Sequence, residues 1–186
     1  MSSTAMTAAE LNKLLASCDC LISPDQMEQV YDELAAQISA KLSDQLPLVL
    51  VVMNGGLISA GKLLARMHFP LELSYVHATR YRGATHGGAL RWLAQPEVPL
   101  AGRQVLIIDD ILDEGNTLKE IKHWCEQADA ERVWVAVATD KQHNRKVPGI
   151  KADFVGRTVP DRYIFGEGMD YKGYFRNLSG IYALPE

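Results

Sequence analysis

The apolar run Val105-Leu106-Ile107-Ile108 ends abruptly in two adjacent acids, Asp109 and Asp110. The chain then turns through Asp113, Glu114 and Gly115 into a segment with Leu118, Ile121, Cys125 and Ala128 on one helical face. An apolar run bounded by charge reads as a strand buried on both sides, and three- and four-residue steps read as a helix over 117–128. A second apolar strand, Val133–Ala138, follows. Strand, helix, strand is the pattern of a parallel sheet, because parallel neighbours need a crossover. This unit commits the chain to an α/β fold: a central, mostly parallel sheet flanked by helices.

The flanking sequence agrees. Pro24–Leu42 reads as a helix with Met27, Val30, Tyr31, Leu34 and Ile38 on one face. Ser23 caps it, Pro24 suits the first helical position and Gln26 completes a capping box. Leu48–Met53 reads as a buried strand stopped by Asn54-Gly55-Gly56, and Leu57, Ile58, Gly61, Leu64 and Ala65 read as a helical face. Leu71–His77 is a further strand. Residues 78–95 carry Arg80, Tyr81, Arg82, Gly83, Gly87, Gly88 and Arg91 without an apolar period, the mark of a long basic loop. The tail after Val147 holds short strands at Asp153–Val155, Tyr163–Phe165 and Gly180–Leu184.

At 186 residues, with no Pro/Gly/Ser-rich linker and no repeat, the chain reads as one domain, 1–186. It divides into an N-terminal helical segment over 1–45, a core over about 46–140 and a C-terminal segment over about 141–186. Lys and Arg number 19 against 23 Asp and Glu, a net charge of −4, which argues against a nucleic-acid partner. No apolar run approaches the roughly 20 residues of a membrane span, so no membrane partner is expected. Three cysteines cannot form a closed disulfide framework and no secretory leader is evident, so the expectation is a reduced, cytoplasmic protein. The five histidines, His68, His77, His86, His123 and His143, show no metal-ligand spacing and receive no role.

Two strand ends compete as phosphate sites. Gly56 to Lys62 matches the Gly-x-x-x-x-Gly-Lys spacing of a nucleotide-binding P-loop. The motif needs Ser or Thr next to hold magnesium, and this chain has Leu63, so a buried helix is the better reading. The second is the turn at 109–117. Amides at a helix start favour an anion, and Thr117 adds a hydroxyl. Four acids (Asp109, Asp110, Asp113, Glu114) lie within six residues and would repel a bare phosphate. A sugar phosphate reconciles them: phosphate on the amides, vicinal hydroxyls on Asp109 and Asp110, and a proton or cation near Asp113.

Ile107–Thr117 resembles the phosphoribosyl-diphosphate-binding signature of the type I phosphoribosyltransferases. The likeness runs from about Leu46 to Leu184 and is similar in detail to the 6-oxopurine branch, the hypoxanthine-guanine enzymes. It rests also on Asn54-Gly55-Gly56, on Lys141 after a strand, and on the tail from Pro160 to Arg176. The resemblance implies purine salvage, with hypoxanthine or guanine converted to its nucleoside monophosphate and diphosphate released. Asp113 would be the catalytic acid or base at purine N7, and Asp109 and Asp110 would hold the ribose hydroxyls. Glu114, Gly115, Asn116 and Thr117 would cradle the 5′-phosphate. Asn54 and Gly55 would bind the diphosphate, in a turn with a cis peptide. Lys141 would donate to O6, Tyr163 would stack on the base, Ile164 would read its edge, and Arg176 would contact the diphosphate.

Mg²⁺ is the implied cofactor, with Asp170, Asp109 and Asp110 as its ligands. Arg80 and Tyr81 would act in loop closure, the C-terminal segment and an N-terminal helix would form a small hood, and the chain would assemble as a homodimer or homotetramer. Three residues depart from the family pattern: Glu114 replaces Ser or Thr, Arg80 replaces Ser, and Asn54 replaces Lys. A non-catalytic sensor of phosphoribosyl diphosphate is the rival reading, and intact Asp113, Lys141 and Asp170 favour the enzyme.

Overall fold

The computed structural model describes residues 6–80 and 90–186. Its elements in chain order are α1 (Ala8–Ala16), β1 (Asp19–Ile22), α2 (Pro24–Leu42), β2 (Leu48–Met53), α3 (Gly56–Leu64) and β3 (Glu72–Arg80). There follow β4 (Leu90–Ala94), β5 (Gln104–Leu112), α4 (Asn116–Gln127), β6 (Arg132–Lys141), β7 (Phe154–Val159), β8 (Ile164–Phe165) and β9 (Ile181–Ala183). Six strands form the main sheet in the order β4-β3-β2-β5-β6-β7, and only the β3–β4 pair is antiparallel. Strand side chains alternate between faces. Val49, Val51, Leu106, Ile108, Ala136 and Ala138 therefore meet α2 and α3, while Leu48, Leu50, Ile107, Val135 and Val137 meet α4. The continuous apolar runs in the sequence are the consequence of covering both faces.

Helix α2 begins with the expected capping box, and Met27, Val30, Tyr31, Leu34 and Ile38 are fully buried beneath it. In α3 the buried face is Gly56, Ser59, Ala60 and Leu63 rather than one containing Leu57, which is exposed. Gly56 lies against the Ile108 carbonyl so closely that a Cβ would sit 2.5 Å from it. That contact turns the small side of α3 toward β5 and Leu57 outward.

Strand β5 runs past Ile108 through both acids, because its parallel pairing with β6 continues from Asp109↔Val137 to Leu112↔Asp140. Asp109 and Asp110 thus belong to a buried strand end, not to a polar turn. Part of the expected loop over 78–95 is strand: residues 78–80 and 90–94 belong to β3 and β4, which pair antiparallel at the sheet edge, where polar side chains are tolerated. Residues 81–89, including Tyr81, lie outside the described residues.

The N-terminal segment holds two elements not expected above: α1, opened by a Thr7–Glu10 capping box, and β1. Strand β1 pairs antiparallel with β9, which pairs with β8, giving a separate three-stranded sheet. The N-terminus thus contributes a strand to the sheet formed with the C-terminal segment. A four-residue strand whose partner lies about 160 residues away cannot be read from local periodicity.

The two sheets meet where three segments touch. A Cβ on Gly168, whose φ is +105°, would lie 2.0 Å from the Gly55 carbonyl oxygen, and one on Gly55 would lie 2.3 Å from Asp110 Oδ2. Gly168→Ala should therefore destabilise the protein by about 3 kcal/mol or more, through backbone overlap and a disfavoured φ. Gly61→Ala, in α3 with nothing within 4 Å of the added carbon, should be neutral or slightly stabilising. Thermal melts of the two variants check this; equal melting temperatures would refute the close-contact account.

Candidate active site

The carboxyl ends of β2, β3 and β5 open into a cavity of about 720 Å³ lined by Asn54, Gly55, Asp109, Asp110, the 113–117 turn and Arg176. A neighbouring cavity of about 520 Å³ adds Lys141, Tyr163, Ile164 and Asp170. The two share Asp110, Ile111, Asp113, Thr117 and Arg176, so they form one cleft with two ends. Ligands of open α/β sheets collect in such positions, beyond the strands' carboxyl ends.

At one end, Gly115 precedes α4 with φ +80° and no side chain caps the helix. A Cβ there would meet Ile150 Cγ2 at 2.6 Å and Leu112 Cδ1 at 2.9 Å, so only glycine permits this turn. The first intrahelical bond is Lys119 N–H to the Gly115 carbonyl. The amides before it are left for an anion, with the helix dipole behind them. The Glu114 carbonyl accepts from Val147 N–H at 2.9 Å, which braces the turn from behind. The Glu114 side chain is exposed and accepts from Asn116 Nδ2 at 3.0 Å; no described cation pairs with it.

Beside this turn lie the two buried acids. The Asp110 N–H donates to Asp109 Oδ1 at 2.9 Å, and Thr139 Oγ1 donates to the Asp110 carbonyl at 3.1 Å. Burial, and then the charge of Asp110, raise the Asp109 carboxyl well above the ordinary value. Burial also raises Asp110, opposed by its contact with Asp109 and by Arg176. No described Lys or Arg forms an ion pair with either acid. Buried acceptors without a cation suit hydroxyl donors, such as a vicinal diol.

Asp113 sits where the two ends of the cleft meet. Lys141 Nζ donates to its Oδ2 at 2.7 Å and His143 Nε2 lies 2.7 Å from its Oδ1. Burial alone would raise this carboxyl, but the Lys141 and His143 bonds outweigh it and hold Asp113 below the ordinary value. Asp113 is therefore ionised and able to receive a proton. His143 received no role from the sequence, yet its ring is almost completely buried against the central acid. No spacing signal announces it, since the bond forms only once β6 brings residue 143 beside the end of β5.

The other end is built from the 163–176 segment. The Tyr163 ring is about half exposed, its hydroxyl donates to the Asp170 carbonyl at 3.2 Å, and it meets Tyr171 edge-on at 5.8 Å. Ile164 is buried on β8. Arg176 donates to Asp170 Oδ1 and to the Gly168 carbonyl, each at 2.5 Å, while Gly173 N–H donates to Asp170 Oδ2 at 2.7 Å. Both Asp170 oxygens are thus occupied from within the segment. Among the described residues no group of three or more His, Cys, Asp or Glu converges as a metal site, so Asp170, Asp109 and Asp110 do not form a ready-made one.

The structure therefore brings Asn54, Gly55, Asp109, Asp110, Asp113, Glu114, Gly115, Asn116, Thr117, Lys141, Tyr163, Ile164, Asp170 and Arg176 to one cleft. The Met53–Asn54 peptide is cis, as the resemblance implies. Arg80 is the last residue of β3, its side chain is not among those described, and Tyr81 lies outside the described residues. His77 and Thr79 line the cleft from β3 without having been singled out. The P-loop-like Gly56–Lys62 segment is helix from its first residue, and Lys62 Nζ bonds Glu28 at 2.6 Å and Glu167 at 3.2 Å and does not line the cleft.

The phosphoribosyl transferase domain family matches residues 23–172. The chain is 32% identical to the hypoxanthine-guanine phosphoribosyltransferase of Bacillus subtilis, over 88% of this chain and 91% of that protein. It is 31% identical to the protein of the same name from Staphylococcus epidermidis, over 88% and 92%. Among solved structures, a hypoxanthine phosphoribosyltransferase from Staphylococcus aureus superposes with a TM-score of 0.86 at 26% identity, covering 97% of each chain. A hypoxanthine-guanine-xanthine phosphoribosyltransferase superposes with a TM-score of 0.82 at 27% identity, over 90% of this chain and 97% of that one.

The buried acids carry a stability consequence. With its pKa raised on folding, Asp109 makes the native state less favourable as pH climbs above the unfolded aspartate value of about 3.9. Asp109→Asn keeps an acceptor for the Asp110 amide and removes the charge. The ligand-free variant should melt a few degrees above wild type at pH 7, and the gain should vanish toward pH 4. A gain independent of pH, or a loss at pH 7, would contradict the buried-charge account.

Proposed function

The chain belongs to the phosphoribosyltransferase family, and from that membership we propose its reaction: transfer of the 5-phosphoribosyl group from phosphoribosyl diphosphate to hypoxanthine or guanine. The products are the nucleoside monophosphate and diphosphate, a purine-salvage reaction. The observation that carries this reading is the position of Asp113: ionised, clasped by Lys141, and set between a diol-and-phosphate end and an aromatic end of one cleft.

The chemistry follows from those contacts. The 5′-phosphate sits on the amides of 114–117 and the ribose hydroxyls donate to Asp109 and Asp110. The diphosphate lies toward Asn54, Gly55 and Arg176. The base enters against Tyr163, with its edge toward Ile164 and its 6-oxo group toward Lys141. When Lys141 turns to that oxygen, Asp113 Oδ2 is released to take the proton from N7. The purine nitrogen forms its bond to C1 of the ribose as the C1–O bond breaks, through an oxocarbenium-like state. The reaction calls for a divalent metal, which we assign as Mg²⁺. With Asp170 already bonded on both oxygens, the residues fit a metal arriving with the diphosphate better than a preformed site. Bound there it would neutralise the leaving group.

We place the enzyme in the cytoplasm as one domain over 1–186; among the described residues no helix is long and apolar enough to cross a membrane. For the homo-oligomer the resemblance implies, the apolar strip of Leu57, Leu73 and Tyr75, each about half exposed, offers a face between α3 and β3.

A purine panel with phosphoribosyl diphosphate and Mg²⁺ tests the reading. Hypoxanthine or guanine should turn over well above adenine, because the Lys141 ammonium donates to a 6-oxo group and cannot accept from a 6-amino group. Asp113→Asn should slow nucleotide formation by about 10²–10⁴-fold. Preference for adenine, or undiminished turnover in the variant, would sink the assignment. Glu114→Thr removes a like charge beside the phosphate and adds a hydroxyl. It should tighten phosphoribosyl diphosphate binding by about 1.5- to 5-fold at low salt, and the gain should shrink as salt rises. Weaker binding at both ionic strengths would show that the Glu114–Asn116 bond organises the turn instead.

A further inference from the structure

We propose that His143 is a positioning residue for Asp113: its neutral imidazole holds Oδ1 while Lys141 leaves Oδ2 for the base. This rests on the transferase reading above. In the free protein Asp113 has two donors, Lys141 on Oδ2 and His143 on Oδ1, both at 2.7 Å. Base binding draws the first of them toward the purine oxygen, so the ammonium divides its three N–H donors and holds the carboxylate less firmly. A half-exposed carboxylate left alone would be free to rotate, and proton transfer needs it within hydrogen-bond reach of N7.

His143 is built to remain. Its side chain is 2% exposed, and the Arg145 N–H donates to its Nδ1 at 3.0 Å. With Nδ1 accepting, the proton of the neutral ring is on Nε2, which donates to Asp113. The turn behind it is fixed at both ends. Arg145 forms two 2.7 Å bonds with Asp161, and Lys146 Nζ donates to the Lys141 carbonyl at 2.8 Å. The ring therefore cannot follow Lys141 toward the base without breaking the turn.

A neutral donor is also the right partner for a base. An ammonium favours the carboxylate strongly and opposes its protonation, whereas a neutral N–H does so less. The N7 proton passes to Asp113 Oδ2, the N–H electron pair stays on the purine, and the purine lone pair forms the bond to C1. The diphosphate leaves with the C1–O electron pair. Throughout, His143 keeps its own proton and Oδ1 remains an acceptor for it.

Steady-state kinetics on His143→Phe, which fills the space without a donor, and His143→Gln, which restores an N–H, test the proposal. His143→Phe should lose about tenfold in kcat with hypoxanthine while the KM for phosphoribosyl diphosphate stays unchanged. His143→Gln should recover most of that loss. Melting temperatures show whether each variant is folded, and the donor-free His143→Leu serves if the phenylalanine variant is not. Wild-type kcat in a folded His143→Phe, a loss confined to the KM for phosphoribosyl diphosphate, or a folded amide variant no better than the donor-free one would each overturn the role of His143. Absence of nucleotide formation by the wild-type protein would instead overturn the transferase reading.

Discussion

The site depends on one close contact: Gly168 against the Gly55 carbonyl, with the Asp110 carboxyl pressed on Gly55 from the other side. Three chain segments meet there, with the Asp110 side chain wedged against the two glycines. One is the turn after β2, one is the end of β5, and one belongs to the segment that carries Asp170 and Arg176. The contact sets the spacing between the end that takes a sugar phosphate and the end that takes a base. Arg176 reinforces it by bonding the Gly168 carbonyl and Asp170 together. A reaction between two bound molecules requires such fixed spacing, since small displacements of reacting atoms cost large factors in rate.

The electrostatics follow the same division. The amides before α4 attract an anion without any basic side chain, which leaves the adjacent acids free to face hydroxyls. Asp109 and Asp110 are held in a buried strand end where ionisation is unfavourable, while Asp113, three residues later, is held ionised by Lys141 and His143. Three acids within five residues thus serve two purposes because their surroundings differ.

Much of this was legible in the sequence because it is local. The αβ grammar, the Ser23 capping box and the turn at 109–117 are written in consecutive residues, and the likeness to phosphoribosyltransferases rests on motifs of the same kind. What was not legible is long-range. Strand β1 gains its identity only by pairing with β9, and the outward turn of Leu57 follows from a backbone contact between α3 and β5. His143 belongs to the same class: nothing around it in the chain marks it, and only the parallel pairing of β5 with β6 sets it against Asp113. Asp109 and Asp110 read as a polar turn because two acids in a row rarely continue a buried strand. The pairing with β6 overrides that preference, as tertiary context does.

The central claim is that one cleft holds sugar phosphate and base together with Asp113 between them. A crystal structure with a 6-oxopurine nucleoside 5′-monophosphate tests it most directly. The account predicts the phosphate on the 114–117 amides, the ribose hydroxyls on Asp109 and Asp110, and Lys141 on the 6-oxo group with its bond to Asp113 broken. A nucleotide bound in another cavity, or in this one with its base toward Asn54 and Gly55, would contradict it.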